Sequence, residues 1–151
     1  MNLNLPPYSF RIKETSGRQQ IFDSIRKKFV ALTPEEWVRQ HLIRLLTEQY
    51  GVPVGLMAIE KPLKVGNLTQ RADIIVYDRL ANPILIVEVK SPSTVIDQFT
   101  LDQASRYNRA LNVKYVILSN GMQHVVLNFI ADRKGYIILD KMPHYKDLTT
   151  Y

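Results

Sequence analysis

Cysteine is absent from the 151 residues, which excludes disulfides, thiolate metal sites and a cysteine nucleophile. Histidine is scarce, and His41, His124 and His144 lack the i, i+4 spacing of a helical zinc pair. No apolar run approaches the roughly 18 residues of a membrane span, and no basic-then-apolar leader opens the chain. A cytoplasmic chain without a membrane segment is therefore expected. Internal repeats, low-complexity runs and linkers are missing too. So is any Gly-x-x-x-x-Gly-Lys loop, so nothing in this stretch could cradle the phosphates of a nucleotide-driven motor.

What is there is ordinary in bulk. With 46% apolar and 23% charged residues, the composition is that of a soluble globular protein, and the length suits one domain. Residues 1–151 are read as a single unit: an N-terminal β arm over 1–32, a core over 33–131, and a last strand with its tail over 132–151. The formal net charge is +6. A basic balance favours polyanions, because phosphate contacts supply most non-specific affinity for nucleic acid. Many small domains are basic without such a partner, so charge leaves both readings open.

In the arm, residues 8–13 alternate, with Tyr8, Phe10 and Ile12 on one face, as in a half-buried strand. Ser16-Gly17 turns the chain, 18–22 returns, and 27–32 is a third extended piece. The run Arg26-Lys27-Lys28 is either a solvated edge or a contact for an anion. A helix then starts at Thr33, with Pro34 at its first position and Glu36 completing a Thr-x-x-Glu capping box. Trp37, Val38, His41, Leu42, Leu45 and Leu46 form its apolar stripe. Glu36 points away from that stripe with its side chain occupied by the cap. Glu35 stands at the stripe's margin, where it either reaches an internal site or complements the helix dipole. Gly51-Val52-Pro53 closes the helix.

Residues 56–65 read as a strand broken or bulged near Lys61-Pro62, with Glu60 either aimed at a site or exposed. Gly66-Asn67 turns into two β-branched runs, 71–78 and 84–90, joined at Ala81-Asn82-Pro83. After Ser91-Pro92-Ser93, a helix begins at Val95 or Phe99 and ends at Leu111. Its apolar arc is Phe99, Ala104, Tyr107, Ala110 and Leu111, with Gln103 either facing a polar group inside the fold or reaching solvent. A buried strand at 114–118, a hairpin at Ser119-Asn120-Gly121, its partner at 124–130 and a short strand at 136–139 follow. The tail from Pro143 reads as irregular. The order β arm, helix, three strands, helix, two or three strands packs best as α/β, one mixed sheet with a helix on either side.

The run 84–90 ends in Glu88-Val89-Lys90, which would be costly if it were only core. Alternation puts Glu88 and Lys90 on one face, roughly 6.5–7 Å apart by strand rise, and Asp73 on the neighbouring run can add a second carboxylate. Two acids with no soft ligand nearby select Mg²⁺ or Mn²⁺, with the Val89 carbonyl as a third oxygen. Such an ion can lower the pKa of bound water and stabilise a phosphodiester undergoing in-line displacement. Lys90 would then orient the attacking water or the scissile phosphate as a positioned ammonium, rather than act as a general base.

At these residues the chain resembles a known family. Arg71-Ala72-Asp73-Ile74-Ile75-Val76-Tyr77 with Ile86-Val87-Glu88-Val89-Lys90 is similar to the core of the PD-(D/E)xK nuclease superfamily, although Ala72 replaces the proline of its name. With Pro34-Glu35-Glu36-Trp37-Val38-Arg39, Gln103-Ala104-Ser105-Arg106-Tyr107 and Ser119-Asn120-Gly121, the set resembles the N-terminal nuclease domain of type I restriction enzyme R subunits across roughly residues 30–130. The resemblance implies Glu35, Asp73 and Glu88 as metal-side acids, Lys90 as the catalytic lysine, and Gln103 and Tyr107 as a supporting pair beside site and DNA. It implies a restriction-endonuclease-like α-β-β-β-α-β core and Mg²⁺-dependent cleavage of DNA. Because type I cleavage is driven by ATP-dependent translocation, it also implies a separate motor or specificity partner. The competing reading is a catalytically weak nucleic-acid-binding or assembly module. Oligomeric state, DNA specificity and strand preference are not legible.

Overall fold

A computed structural model describes residues 2–130 and 135–149; the expected boundary between core and tail, at 131–132, and the last two residues lie outside them. Three strands, β1 (Ile12–Thr15), β2 (Arg18–Asp23) and β3 (Lys28–Ala31), form an antiparallel arm. The first strand starts later than the alternation suggests. Tyr8 and Phe10 lie before it and pack instead on α1 (Pro34–Glu48), where Phe10 sits 4.8 Å from the His41 ring and 5.5 Å from Trp37. Arg44 covers the Tyr8 and Phe10 rings and donates to the Ser9 carbonyl.

A six-stranded sheet follows, in the order of the chain: β4 (Met57–Val65), β5 (Leu68–Tyr77), β6 (Pro83–Val89), β7 (Tyr115–Ser119), β8 (His124–Phe129) and β9 (Tyr136–Leu139). Among the described residues only β6 and β7 run parallel, as a helical crossover between them requires. That crossover carries α2 (Gln98–Leu111). The sheet is mixed, and its two faces bury different clusters. Ile74, Val76, Leu85, Val87 and Ile117 pack against Val38, Leu42 and Leu46 of α1. The alternate residues Val116 and Leu118 pack against Leu101 and Ala104 of α2. The arrangement is the α/β sandwich of helix, mixed sheet and helix expected from the pattern.

Several local expectations are corrected. Thr33 Oγ1 does accept from the Glu36 amide, but the Thr33 amide donates to the Ala31 carbonyl, and Glu36 is buried among ionic partners. The irregularity expected in β4 near Lys61-Pro62 falls at the adjacent Glu60, whose φ is +52°. Asp78, rather than Asn82-Pro83, organises the β5–β6 turn by accepting from the Leu80 and Asn82 amides. The buried stripe of α2 is Leu101, Ala104, Ser105 and Asn108, so Phe99 and Ala110 face outward. The tail is not wholly irregular, because α3 (Tyr145–Leu148) buries Tyr145 and Leu148. The hairpin at 119–121 is as expected. Gly121, at φ +85°, lies where a Cβ would stand 2.8 Å from Leu3 and 2.9 Å from Val38, so only glycine fits there.

Candidate functional site

The acids gather where the apolar sheet stops. Ile74 pairs with Val87 across β5 and β6, and Asp73 and Glu88 follow just past that pair, with Lys90 two residues beyond Glu88. Both acids, Val89, Lys90 and Glu35 from the first turn of α1 line one cavity of about 190 Å³, which Tyr107 and Asn108 close from α2. Every expected site residue except Gln103 is at this cavity. Gln103 is exposed and lines an adjoining groove with Glu88, Phe99, Arg106 and Tyr107. The Tyr107 hydroxyl is buried with no hydrogen-bond partner. Burial, with the Glu88 charge next, pushes that hydroxyl above its usual pKa.

Asp73 is held firmly. Its Oδ2 accepts from the Val89 amide at 2.8 Å, and its Oδ1 accepts from Arg39 Nη2 at 2.8 Å. Glu88 and Lys90 pair with each other at 2.7 Å on a partly exposed rim.

Arg39 was missed from sequence. It is 4% exposed, and three carboxylates converge on its Nη2: Asp73 at 2.8 Å, Glu60 at 3.5 Å and Glu35 at 3.6 Å. Its Nη1 donates to Glu36 at 2.9 Å. Glu36 in turn accepts from Arg26 at 2.7 Å, and Arg26 Nε donates to Asp23 at 2.7 Å. Gln40 donates to Asp23 and Glu36. A ladder of alternating charge thus runs from the β2–β3 turn of the arm to the candidate site. Arg26 is therefore not part of a solvated edge, and Glu60 faces the acids. The only sequence signal was Arg39 lying three and four residues after Glu36 and Glu35.

Around this ladder five carboxylates (Asp23, Glu35, Glu36, Glu60, Asp73) meet three guanidiniums, those of Arg26, Arg39 and, 3.9 Å from Glu60, Arg71. Burial first, then repulsion from Asp73, push the Glu35 carboxyl above its ordinary value, against the pull of Arg39 and Lys90. A divalent cation would relieve that excess, and the hard oxygens suit Mg²⁺, which is often held by only one or two carboxylates with waters. Asp73 and Glu88 fit such a two-acid set, because each Asp73 oxygen keeps a second lone pair. Among the described residues no group of three or more His, Asp or Glu side chains is placed to hold a metal ion, so Glu35, Asp73 and Glu88 do not form a three-acid set.

Residues 34–143 match the family model of the type I restriction enzyme R protein N terminus (HSDR_N). The chain belongs to this family. The match opens at the first residue of α1 and runs past β9, so it contains the acids, Arg39 and α2, and it leaves the β arm outside. The fold is also similar to a fragment structure described as an HsdR subunit of a type I restriction enzyme from Vibrio vulnificus YJ016, with a TM-score of 0.52 and 22% identity. The alignment covers 78% of this chain and 24% of that one, so this chain corresponds to about a quarter of the HsdR fragment. No curated protein sequence matches it. Among the described residues no helix is long and apolar enough to cross a membrane.

Proposed function

We propose that this R-subunit N-terminal domain hydrolyses DNA phosphodiesters with Mg²⁺ or Mn²⁺, in the manner of PD-(D/E)xK nucleases. The observation that carries the reading is the convergence of Asp73, Glu88 and Lys90 on one cavity beside an excess of carboxylates, in a chain of this family. Asp73, Glu88 and the Val89 carbonyl would hold the ion, with Glu35 at its margin. A bound divalent ion there would acidify water and balance charge on the phosphodiester. The protein's own part is positional. Arg39 and the Val89 amide fix both oxygens of Asp73, so that carboxylate needs no reorganisation. Lys90, tethered to Glu88, offers an ammonium to the scissile phosphate, and the unpartnered Tyr107 hydroxyl is a donor ready for substrate or water.

Nicking of supercoiled plasmid in Mg²⁺ by wild type, abolished by Lys90→Ala, is the expected result. Calorimetric titration of Mg²⁺ or Mn²⁺ should show binding that Glu88→Ala removes. Equal nicking by Lys90→Ala would refute the assignment.

A second reading has its own support. Asp73 and the Glu88–Lys90 pair are already internally satisfied, which suits a domain that binds DNA or assembles with a separate motor or specificity subunit but cleaves weakly. Metal-free DNA binding that survives Glu88→Ala, without nicking, would favour it.

A further inference from the structure

The arm segregates charge by face. Residues 2–32 hold six of the Lys and Arg (Arg11, Lys13, Arg18, Arg26, Lys27, Lys28) against Glu14 and Asp23, so this segment carries +4 of the chain's +6. Arg26 and Asp23 neutralise each other in the ladder, which leaves the remaining basic residues at the surface. Cross-strand register sorts them further. Lys13 pairs with Gln20, Thr15 with Arg18 and Phe22 with Phe29, while the Phe22 amide donates to the Arg11 carbonyl. Arg11, Lys13 and Arg18 therefore share one face with the two phenylalanines. Glu14 lies on the other face, with Ile21 and Asp23, so the outer face carries no acid.

Two of these cations are also held in place. The Arg11 guanidinium sits 4.5 Å from the Phe22 ring centre, and Lys13 Nζ sits 4.2 Å from that of Phe29. The rings are covered by the cations and so are not offered to a base. What the face presents is ordered positive charge at the spacing of β-strands, suited to phosphates.

We propose that the outer face of the three-stranded arm is a sequence-independent docking surface for the phosphate backbone of duplex DNA. It rests on the reading that this chain works on DNA, and it adds the surface that captures the substrate. The Asp23–Arg26–Glu36–Arg39–Asp73 ladder fixes where that surface stands relative to the catalytic acids, although the arm lies outside the residues matched to the family.

The test is fluorescence anisotropy with a labelled 30-base-pair duplex in EDTA, where metal-dependent cleavage is silent, from 50 to 200 mM NaCl. Wild type is compared with the triple variant Arg11→Gln/Lys13→Gln/Arg18→Gln, with Arg18→Glu alone and with Lys90→Ala. Three lost phosphate contacts should reduce the salt slope by about 2.7, so that wild type loses roughly 40-fold more affinity than the triple variant over this range. Lys90→Ala should lose only the one phosphate contact assigned to Lys90, a slope change of about 0.9. Arg18 is on the open face and makes no ring contact of this kind, so Arg18→Glu tests the surface even if the triple variant weakens the arm, and it too should lower affinity and slope. Unchanged slopes in both arm variants would overturn the proposal, as would wild-type binding to anionic phosphatidylserine vesicles in preference to the duplex. Wild type that binds through the arm but leaves plasmid intact refutes hydrolysis and spares the arm. Nicking by the triple variant at an unchanged KM refutes the arm and spares hydrolysis.

Discussion

Replacing Asp23 by Asn should cost far more than a surface change, because of what its oxygens do. The side chain is fully buried. Oδ1 accepts from the Ile25 and Arg26 amides at 2.8 Å, while Oδ2 accepts from Arg26 Nε at 2.7 Å and Gln40 Nε2 at 2.9 Å. Asparagine keeps an oxygen for the amides but turns an NH₂ toward the other two donors. Breaking one partner of a buried ion pair costs about 3–5 kcal/mol, a large share of the roughly 5–15 kcal/mol that holds a domain together. In urea, with a slope near 2 kcal/mol/M, the midpoint should fall by about 2 M. The pH dependence gives a second check. Burial alone would raise the Asp23 carboxyl, but the hydrogen bonds from Arg26 and Gln40 and the Arg26 charge outweigh it and hold the pKa below the ordinary value. A depressed acid stabilises the fold above its unfolded pKa, about 3.9, and that stabilisation fades as pH falls through the folded value. The gap between wild type and Asp23→Asn should therefore be full at pH 7 and shrink as pH falls below about 4. A gap under about 1 kcal/mol at pH 7, the scale of one ordinary hydrogen bond, or a gap that does not change with pH, would refute the claim that this carboxylate ties the arm to α1.

Two further substitutions probe the cavity. Glu35 has a raised pKa, so its ionised form is disfavoured in the fold and metal-free stability should fall as pH rises through that value. Glu35→Gln should remove this loss, giving a flatter melting profile in EDTA as pH rises from the unfolded value of about 4.3, while weakening Mg²⁺ binding by calorimetry; a mutant profile as steep as wild type's would refute the raised carboxyl. Tyr107→Phe deletes a buried hydroxyl that has no partner, so thermal stability should hold or rise slightly, whereas plasmid nicking should fall if that hydroxyl serves substrate; a melting temperature several degrees lower would show that the hydroxyl is bonded after all.

The features legible in the sequence were those whose cause lies within a few residues. Thr33-Pro34 starts α1 because cap and ring act on the same turn, and the β-branched runs of β5, β6 and β7 are buried on both faces and therefore read as unbroken apolar stretches. The illegible features have partners distant in sequence. Tyr8 and Phe10 alternate as a strand would, but alternation records only an extended backbone, and their destination was the His41 and Trp37 rings. The arc of α2 was misplaced because Ser105 and Asn108 count as polar, yet both are buried, and Asn108 is satisfied by the Val113 amide and carbonyl beyond the helix end. Polarity predicts exposure only when no partner is within reach. The same reason hid Arg39. Its links to Glu35 and Glu36 are local and weakly informative, whereas the one that orients Asp73 spans 34 residues. Recognising the acid–acid–lysine set therefore locates the chemistry but leaves out its counter-charge. That counter-charge decides where the Asp73 carboxylate is aimed before any metal arrives.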